Sequence, residues 1–213
     1  MSLVWEPDAE DLAFHAVYGA WQPLTPEELQ ELMDGFARPW WLVGGHAIEA
    51  FTGVRRAHED VDLVVFSRDA DELRAHLGDR LHLWCNHGGT FRVFDDEHPQ
   101  LLDPLCQIWM RENAQSPWLV DCILNPDVEG RWQSRRYPDH VADLEEVTWV
   151  DGRGIRFGTP ELVLSYKAKH DRTKDRVDLE HTLPLLDRHQ RAWLAAELRR
   201  RHPGHTWLSL LEG

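Results

Sequence analysis

Lysine is almost missing from this chain. Only three of its 23 basic residues are lysines, Lys167, Lys169 and Lys174, and all three fall within "YKAKHDRTKD" while arginine takes every other basic position. Cysteine is scarce too: Cys85, Cys106 and Cys122 are odd in number and form no CxxC pair. That argues against a disulfide framework and a structural zinc site. No apolar run approaches the ~18 residues of a membrane span, and the opening "MSLVWEPDAEDL" is acidic without the apolar centre of a secretory signal. The expectation is a cytoplasmic protein with reduced thiols and no membrane partner. The 13 histidines are scattered and make no HExxH or Cys/His cluster. Positive charge is short overall, with a formal net charge of −14 that repels polyanions and draws cations to the surface. A nucleic-acid partner would need a local basic patch against that background. A small cationic molecule would not.

What is present fits one good-sized domain with a modest helical appendage: 213 residues, 42% hydrophobic and 28% charged, an ordinary globular composition. "LTPEELQELMDGF" carries a capping-box start at Thr25, Pro26 and Glu28 and predicts a helix ending near Gly35. "WWLVGG" predicts a short buried strand entering a glycine pair, and "HAIEAFTG" a helix closed by Gly53. "VDLVVF" reads as a strand buried on both faces, followed by a helix in "DADELRAHLG" with Asp69 or Ser67 as its cap. "LHLWC" and "TFRVF" flank an "NHGG" turn, and "LCQIWM" with "WLVDCIL" suggests a hairpin. "EVTWV" and "IRF" suggest another, turning at Asp151-Gly152 with positive φ. From Thr159 onward the pattern is helical. The chain therefore divides into a mixed α/β core over 1–158 and a helical region over 159–213.

The first chemical signal is "RRAHEDVDLVVF". In an extended strand Asp60 and Asp62 point to one face, so their like charges converge unless a cation sits between them. Hard carboxylate oxygens suit Mg²⁺ or Mn²⁺; two solvated acids at a strand end is the plainer alternative. Gly44-Gly45 would let backbone approach a phosphate at a helix N-terminus, or would simply form a tight turn. The three clustered lysines offer compact ammonium groups suited to a triphosphate, or a solvated helix face. The 11 tryptophans read mostly as core or groove-lining residues, a few of which could stack on a base.

"WWLVGGHAIEAFTGVRRAHEDVDLVV" resembles the core signature of the DNA polymerase β-like nucleotidyltransferase superfamily, and within it the aminoglycoside 2''- and lincosamide nucleotidyltransferases. The ordered match is Trp41, Gly44, Gly45, Ala47, Ile48, Gly53, Arg55 or Arg56, His58, Asp60 and Asp62. The resemblance implies an α/β (α+β) fold, a mixed sheet flanked by helices. It also implies a third carboxylate on a later strand, for which Asp121 in "PWLVDCILN" is the candidate, on the strand face away from the buried side. Asp60, Asp62 and Asp121 would then be the catalytic and metal-binding acids, with Gly44, Gly45, Arg55, Arg56, Lys167, Lys169 and Lys174 around the nucleotide.

"PELVLSYKAKHDRTKDRVDLE" also resembles the C-terminal motif of AbiEii-like minimal nucleotidyltransferases, a lysine-bearing helix followed by R-x-K-D-x-x-D. That similarity implies nucleotide or metal binding by Asp175 and Asp178. The aminoglycoside enzymes do not clearly share this ending. The activity implied is Mg²⁺-dependent transfer of a nucleoside monophosphate, AMP from ATP, to a hydroxyl of a small polar, cationic, aminoglycoside-like acceptor. Two alternatives remain open: a toxin-like enzyme acting on RNA or protein through a basic surface of Arg131, Arg135 and Arg136, or a catalytically silent nucleotide-binding relative.

Overall fold

The computed structural model describes residues 9–212. Two helices lead in, α1 (Ala9–Tyr18) and α2 (Pro26–Leu32). The second starts as its sequence dictates: Thr25 Oγ1 accepts from Glu28 N–H while the Glu28 carboxylate accepts from Thr25 N–H. Strand β1 (Trp40–Leu42) runs into α3 (Gly44–Thr52), which Gly53 closes in the left-handed conformation at φ 71°. Then come β2 (Asp62–Phe66), α4 (Ala70–Leu77), the hairpin β3 (His82–His87) and β4 (Thr90–Val93), and the pair β5 (Gln107–Arg111) and β6 (Val120–Asn125).

A small three-stranded sheet follows from β7 (Asp127–Val128), β8 (Arg131–Gln133) and β9 (Val141–Ala142). After a short helix α5 (Leu144–Val147), β10 (Thr148–Val150) and β11 (Arg156–Gly158) return to the main sheet. Helices α6 (Pro160–Lys167), α7 (Thr173–Thr182), α8 (Arg188–Arg201) and α9 (Trp207–Leu211) complete the chain.

The eight-stranded sheet has the order β10-β11-β1-β2-β6-β5-β3-β4 and is mixed: β1 with β11 and β2 with β6 are parallel, the other neighbours antiparallel. The mixed sheet flanked by helices is the architecture expected. Apolar side chains of β2 and β6, including Leu63, Val65, Cys122 and Leu124, share one buried cluster with Leu164 of α6, Leu179 of α7 and Leu194 and Leu198 of α8. A second, smaller cluster gathers Trp41, Val64, Phe66, Trp132 and Leu162 on the other face of β2.

Three local expectations are corrected. Asp60 lies in the loop ahead of β2 rather than on it, because the strand ladder begins at Asp62. Neither Asp69 nor Ser67 caps α4 through its side chain: a 3₁₀ turn over Ser67–Asp69 intervenes, and Asp69 faces Arg38 and Arg68 instead. In the β10–β11 turn the positive φ falls on Gly154, at 86°, because the Asp151 carboxylate accepts the N–H groups of Arg153 and Ile155 and wraps the loop around itself. All three cysteines are buried and free.

Candidate active site

Parallel pairing of β2 with β6 puts Asp62 directly opposite Asp121, and Asp121 N–H donates to Val61 O at 3.1 Å. Asp60, two residues ahead of the ladder, turns into the same cleft as Asp62. The glycine pair makes the cleft possible in a way phosphate contact alone would not require. Gly44 has φ 65°, and a Cβ there would overlap the Asp62 carboxylate. A Cβ on Gly45 would overlap the Arg56 guanidinium and stand 2.6 Å from His58 Nδ1. The start of α3 is thus bare so that an acid and two bases can pack against it.

Asp121 is 6% exposed and buried on both faces of β6, not turned to solvent as expected. Its Oδ2 accepts from Gln107 Nε2 at 2.5 Å, while Oδ1 has no partner. Trp109 faces it across the β5–β6 ladder, and the indole N–H pulls on the carboxylate without reaching hydrogen-bond geometry. Burial, then the charges of Asp62 and Asp60, push the Asp121 carboxyl well above the usual range. Burial and Asp60 push Asp62 up to about 7. Asp60 is open at the cleft mouth, yet protein closes around it enough that desolvation, followed by Glu59, raises its carboxyl as well. Neither the Asp60 nor the Asp62 carboxylate makes a hydrogen bond or ion pair among the described residues, although the Asp62 carbonyl accepts from Val43 N–H at 3.0 Å.

Such an arrangement asks for a cation. Among the described residues no group of three or more His, Cys, Asp or Glu side chains is disposed to hold a metal ion. A pair of carboxylates suffices for Mg²⁺, which keeps waters and takes further oxygens from a phosphate. Unpaired Asp60 and Asp62, mutually repelling and supplied with hard oxygen donors, fit that ion. Asp121, with one free oxygen, stands beside them.

The remaining expected residues separate into three groups. Lys174 lines the cleft and is ion-paired to Glu59 at 2.6 Å. Lys167 and Arg56 line it too, but both are anchored in a network: Lys167 Nζ lies 2.8 Å from Asp178 and 3.4 Å from Asp175, Arg56 Nε donates to Asp178 at 3.1 Å, and Arg172 Nε donates to Asp175 at 2.9 Å. Asp175 and Asp178 are buried and hold these cations in place. Arg55 lines a separate recess with Val177 and His181, and Lys169 is exposed outside the cleft.

Residues the sequence reading left unassigned complete the site: Arg172 and His170 from the turn before α7, Tyr166 from α6, and Gln107 from β5. Arg172 stood inside a quoted motif, whereas nothing local marks Gln107, which only the β5–β6 register delivers. Behind Gly45, His58 Nε2 meets Glu49 Oε2 at 2.8 Å and stacks on His46 with ring centroids 3.8 Å apart. Burial lowers His58 to about 4 and His46 to about 3, so both imidazoles are neutral. Arg135 and Arg136 line the cleft, but Arg131 sits on β8 paired to Asp143, so the three arginines do not form one basic surface. No helix among the described residues is long and apolar enough to cross a membrane.

No family model matches the chain, and no curated protein matches its sequence. Solved structures do match. ANT(2'')-Ia in complex with adenylyl-2''-tobramycin aligns at 17% identity over 82% of this chain and 95% of its own, with a TM-score of 0.53. The solution structure of the antibiotic-resistance factor ANT(2'')-Ia aligns at 18% identity over 83% and 90%, TM-score 0.52. The lincosamide antibiotic adenylyltransferase LnuA, lincomycin-bound, aligns at 17% over 75% and 97%, TM-score 0.39. The two ANT(2'')-Ia alignments give the chain the nucleotidyltransferase fold, the one that the "GGHAI" and "DVD" motifs implied.

Proposed function

We propose that the protein is a nucleotidyltransferase that moves a nucleoside monophosphate, AMP from ATP, onto a hydroxyl of a small-molecule acceptor. The carrying observation is the acid constellation: Asp60 and Asp62 line a cleft edged by Lys174 and Arg172, Asp121 lies in register with Asp62 across β2–β6 just beneath it, and none of the three side chains has an ion pair among the described residues. Asp60 and Asp62 would hold Mg²⁺, which when bound neutralises triphosphate charge and makes pyrophosphate a better leaving group. Lys174, Arg172 and Arg56 sit where they can meet the phosphates, and the first turn of α3 adds backbone N–H groups.

Asp121, beside Asp62 and under Gln107, would take the acceptor's proton, and a carboxylate held above its ordinary pKa is the stronger base once ionised. The acceptor oxygen forms a bond to the α-phosphorus, the bond from that phosphorus to the pyrophosphate oxygen breaks, and the proton passes to Asp121. Positioning and charge neutralisation do most of this chemistry. The neighbour solved with adenylyl-2''-tobramycin and the −14 net charge make an aminoglycoside the acceptor class to test against, and the lining of the adjoining cavity decides for or against it.

The test is thermal stability with each nucleoside triphosphate, with and without Mg²⁺. A ligand at ~100 times its Kd adds about 2.7 kcal/mol, a Tm rise of about 5–10 °C in a chain of this size. A rise with ATP that needs Mg²⁺ and vanishes in Asp60→Asn supports the transferase. Absence of any nucleotide effect would overturn it.

A further inference from the structure

The sheet face that carries Asp62 and Asp121 continues past the carboxylates. Side chains two apart on a strand share a face, so Val64 follows Asp62, and Ile123 and then Asn125 follow Asp121. They floor a second cavity of about 530 Å³ that opens off the acid cleft and shares Val43, Gln107, Ile123, Tyr166 and the two arginines Arg135 and Arg136 with it. Trp41, Trp132 and Leu162 wall this cavity. At about 3.3 Å per strand residue, Ile123 stands about 7 Å from Asp121. Asp121 itself is buried under Gln107, which lines both spaces and donates to its Oδ2, so a molecule lying in the cavity comes within one side chain of the proposed base.

Its charge balance is unlike that of the whole molecule. Asp103 is the one carboxylate among the described lining residues, and its Oδ1 already accepts from Leu105 N–H at 2.7 Å. Against it stand Arg135 and Arg136, neither ion-paired among the described residues. Arg136 is fixed by donating to Tyr166 O at 2.6 Å and lying over the Tyr166 ring, and Arg135 donates to Leu105 O. At the floor, Asn125 spends its amide hydrogens on Pro126 O at 2.7 Å and Gln133 O at 3.0 Å. Both partners are acceptors, so the amide nitrogen must face them, and Oδ1 is the atom left for a ligand. Aromatic walls, two fixed guanidiniums and a neutral acceptor would repel a polycation entering a partly dry space.

We infer that this cavity holds the acceptor and that the acceptor is a neutral or anionic hydroxyl compound with an aromatic or apolar face, not a polycation. The acceptor role rests on the nucleotidyl-transfer reading of the cleft; the class of compound rests on the cavity lining. The occupant's hydroxyl oxygen bonds the α-phosphorus, its proton goes to Asp121, and pyrophosphate departs with the electron pair of the broken bond.

The experiment is isothermal titration of the full chain with three probes matched except in charge, 4-nitrophenyl β-glucoside, its β-glucuronide and its 2-amino-2-deoxy-β-glucoside, with tobramycin and adenosine alongside. The glucoside and glucuronide should bind at least about tenfold more tightly than the amino sugar and tobramycin, and should still bind with ATP and Mg²⁺ present. Equal or tighter binding of the amino sugar or tobramycin, or no binding of the other two, overturns the assignment. Displacement of the glucoside by adenosine overturns it too, since the donor's base would then own the cavity. Arg136 is exposed, so Arg136→Glu should fold; it should weaken the glucuronide by about tenfold and strengthen the amino sugar while leaving the glucoside nearly unchanged. An equal loss for all three probes would mean Arg136 acts only on structure and would sink the charge argument. If ATP with Mg²⁺ fails to stabilise the protein while the probe ranking holds, the transferase reading falls and the ligand class stands.

Discussion

Asp62 is a carboxylate held against two opposing forces, loss of water and the charge of Asp60, which together lift it from 3.8 to about 7. Between those values the folded state keeps a proton that the unfolded chain has lost. Its contribution to stability is therefore full below pH ~4 and disappears as the pH rises through about 7. Asp62→Asn removes the ionised form, so the metal-free variant should melt near the wild type at pH 4 and about 2–4 °C above it at pH 8, for about 1 kcal/mol of relief. It should also lose stabilisation by ATP with Mg²⁺. Melting below the wild type at both pH values would show instead that the carboxylate is a structural acceptor. Gly44 tests the same site from the backbone side. Gly44→Ala must adopt φ 65° and push against the Asp62 carboxylate, whereas Gly35→Ala must adopt φ 78° with nothing within 4 Å of the new Cβ. Each substitution costs about 1–3 kcal/mol of strain, but only Gly44→Ala should abolish the response to ATP with Mg²⁺. Equal responses in the two variants would refute the idea that this glycine exists to admit Asp62.

At the scale of elements, α6 and α7 bring their cations to the cleft in different states, which separates two lysines that look alike in "YKAKHDRTKD". Lys167 is 8% exposed between Asp175 and Asp178, so Lys167→Met takes one cation from two buried carboxylates, leaving Asp175 to Arg172 and Asp178 to Arg56, and should cost about 3 kcal/mol in urea unfolding. Lys174 is about one-third exposed against an equally exposed Glu59, so Lys174→Ala should cost under about 1 kcal/mol. Its effect should instead be weaker binding of ATP with Mg²⁺; a Lys174→Ala variant with unchanged affinity would remove that residue from the phosphate site. The contrast also marks how far sequence carries. The strands and hairpins of the main sheet were legible because apolar runs and turn residues are local signals, and so were α3 and the Asp60–Asp62 pair, both held within one short segment; the two- and three-residue strands β7–β9 carry no such run and were not. Asp121 was reachable as an acid inside an apolar strand, but its burial was not, since that depends on β2 and β5 closing around it. Nor could the motif show that Asp178 meets Arg56 from 122 positions away, or choose between Arg55 and Arg56, which the loop before β2 turns in different directions.

The molecule as a whole joins its sheet and its C-terminal helices more tightly than a boundary at residue 158 suggests. Leu164, Leu179, Leu194 and Leu198 lie in the same buried cluster as Leu63 and Leu124 of the central strands. Two charged contacts cross as well, Arg56 with Asp178 and Lys174 with Glu59. A fragment of residues 1–158 would expose the apolar side of that cluster and leave Arg56 without its anchor. It is expected to lack cooperative unfolding and to aggregate, while the full chain unfolds in a single transition by both circular dichroism and tryptophan fluorescence. ATP with Mg²⁺ should move that single transition as a unit, because the proposed phosphate site draws Asp60 and Asp62 from the sheet side and Lys174 and Arg172 from the helical side. If the fragment instead folded cooperatively, or the full chain melted in two steps of which nucleotide shifted only one, the helices would be a separable appendage. The cleft would then have to be formed by the sheet alone.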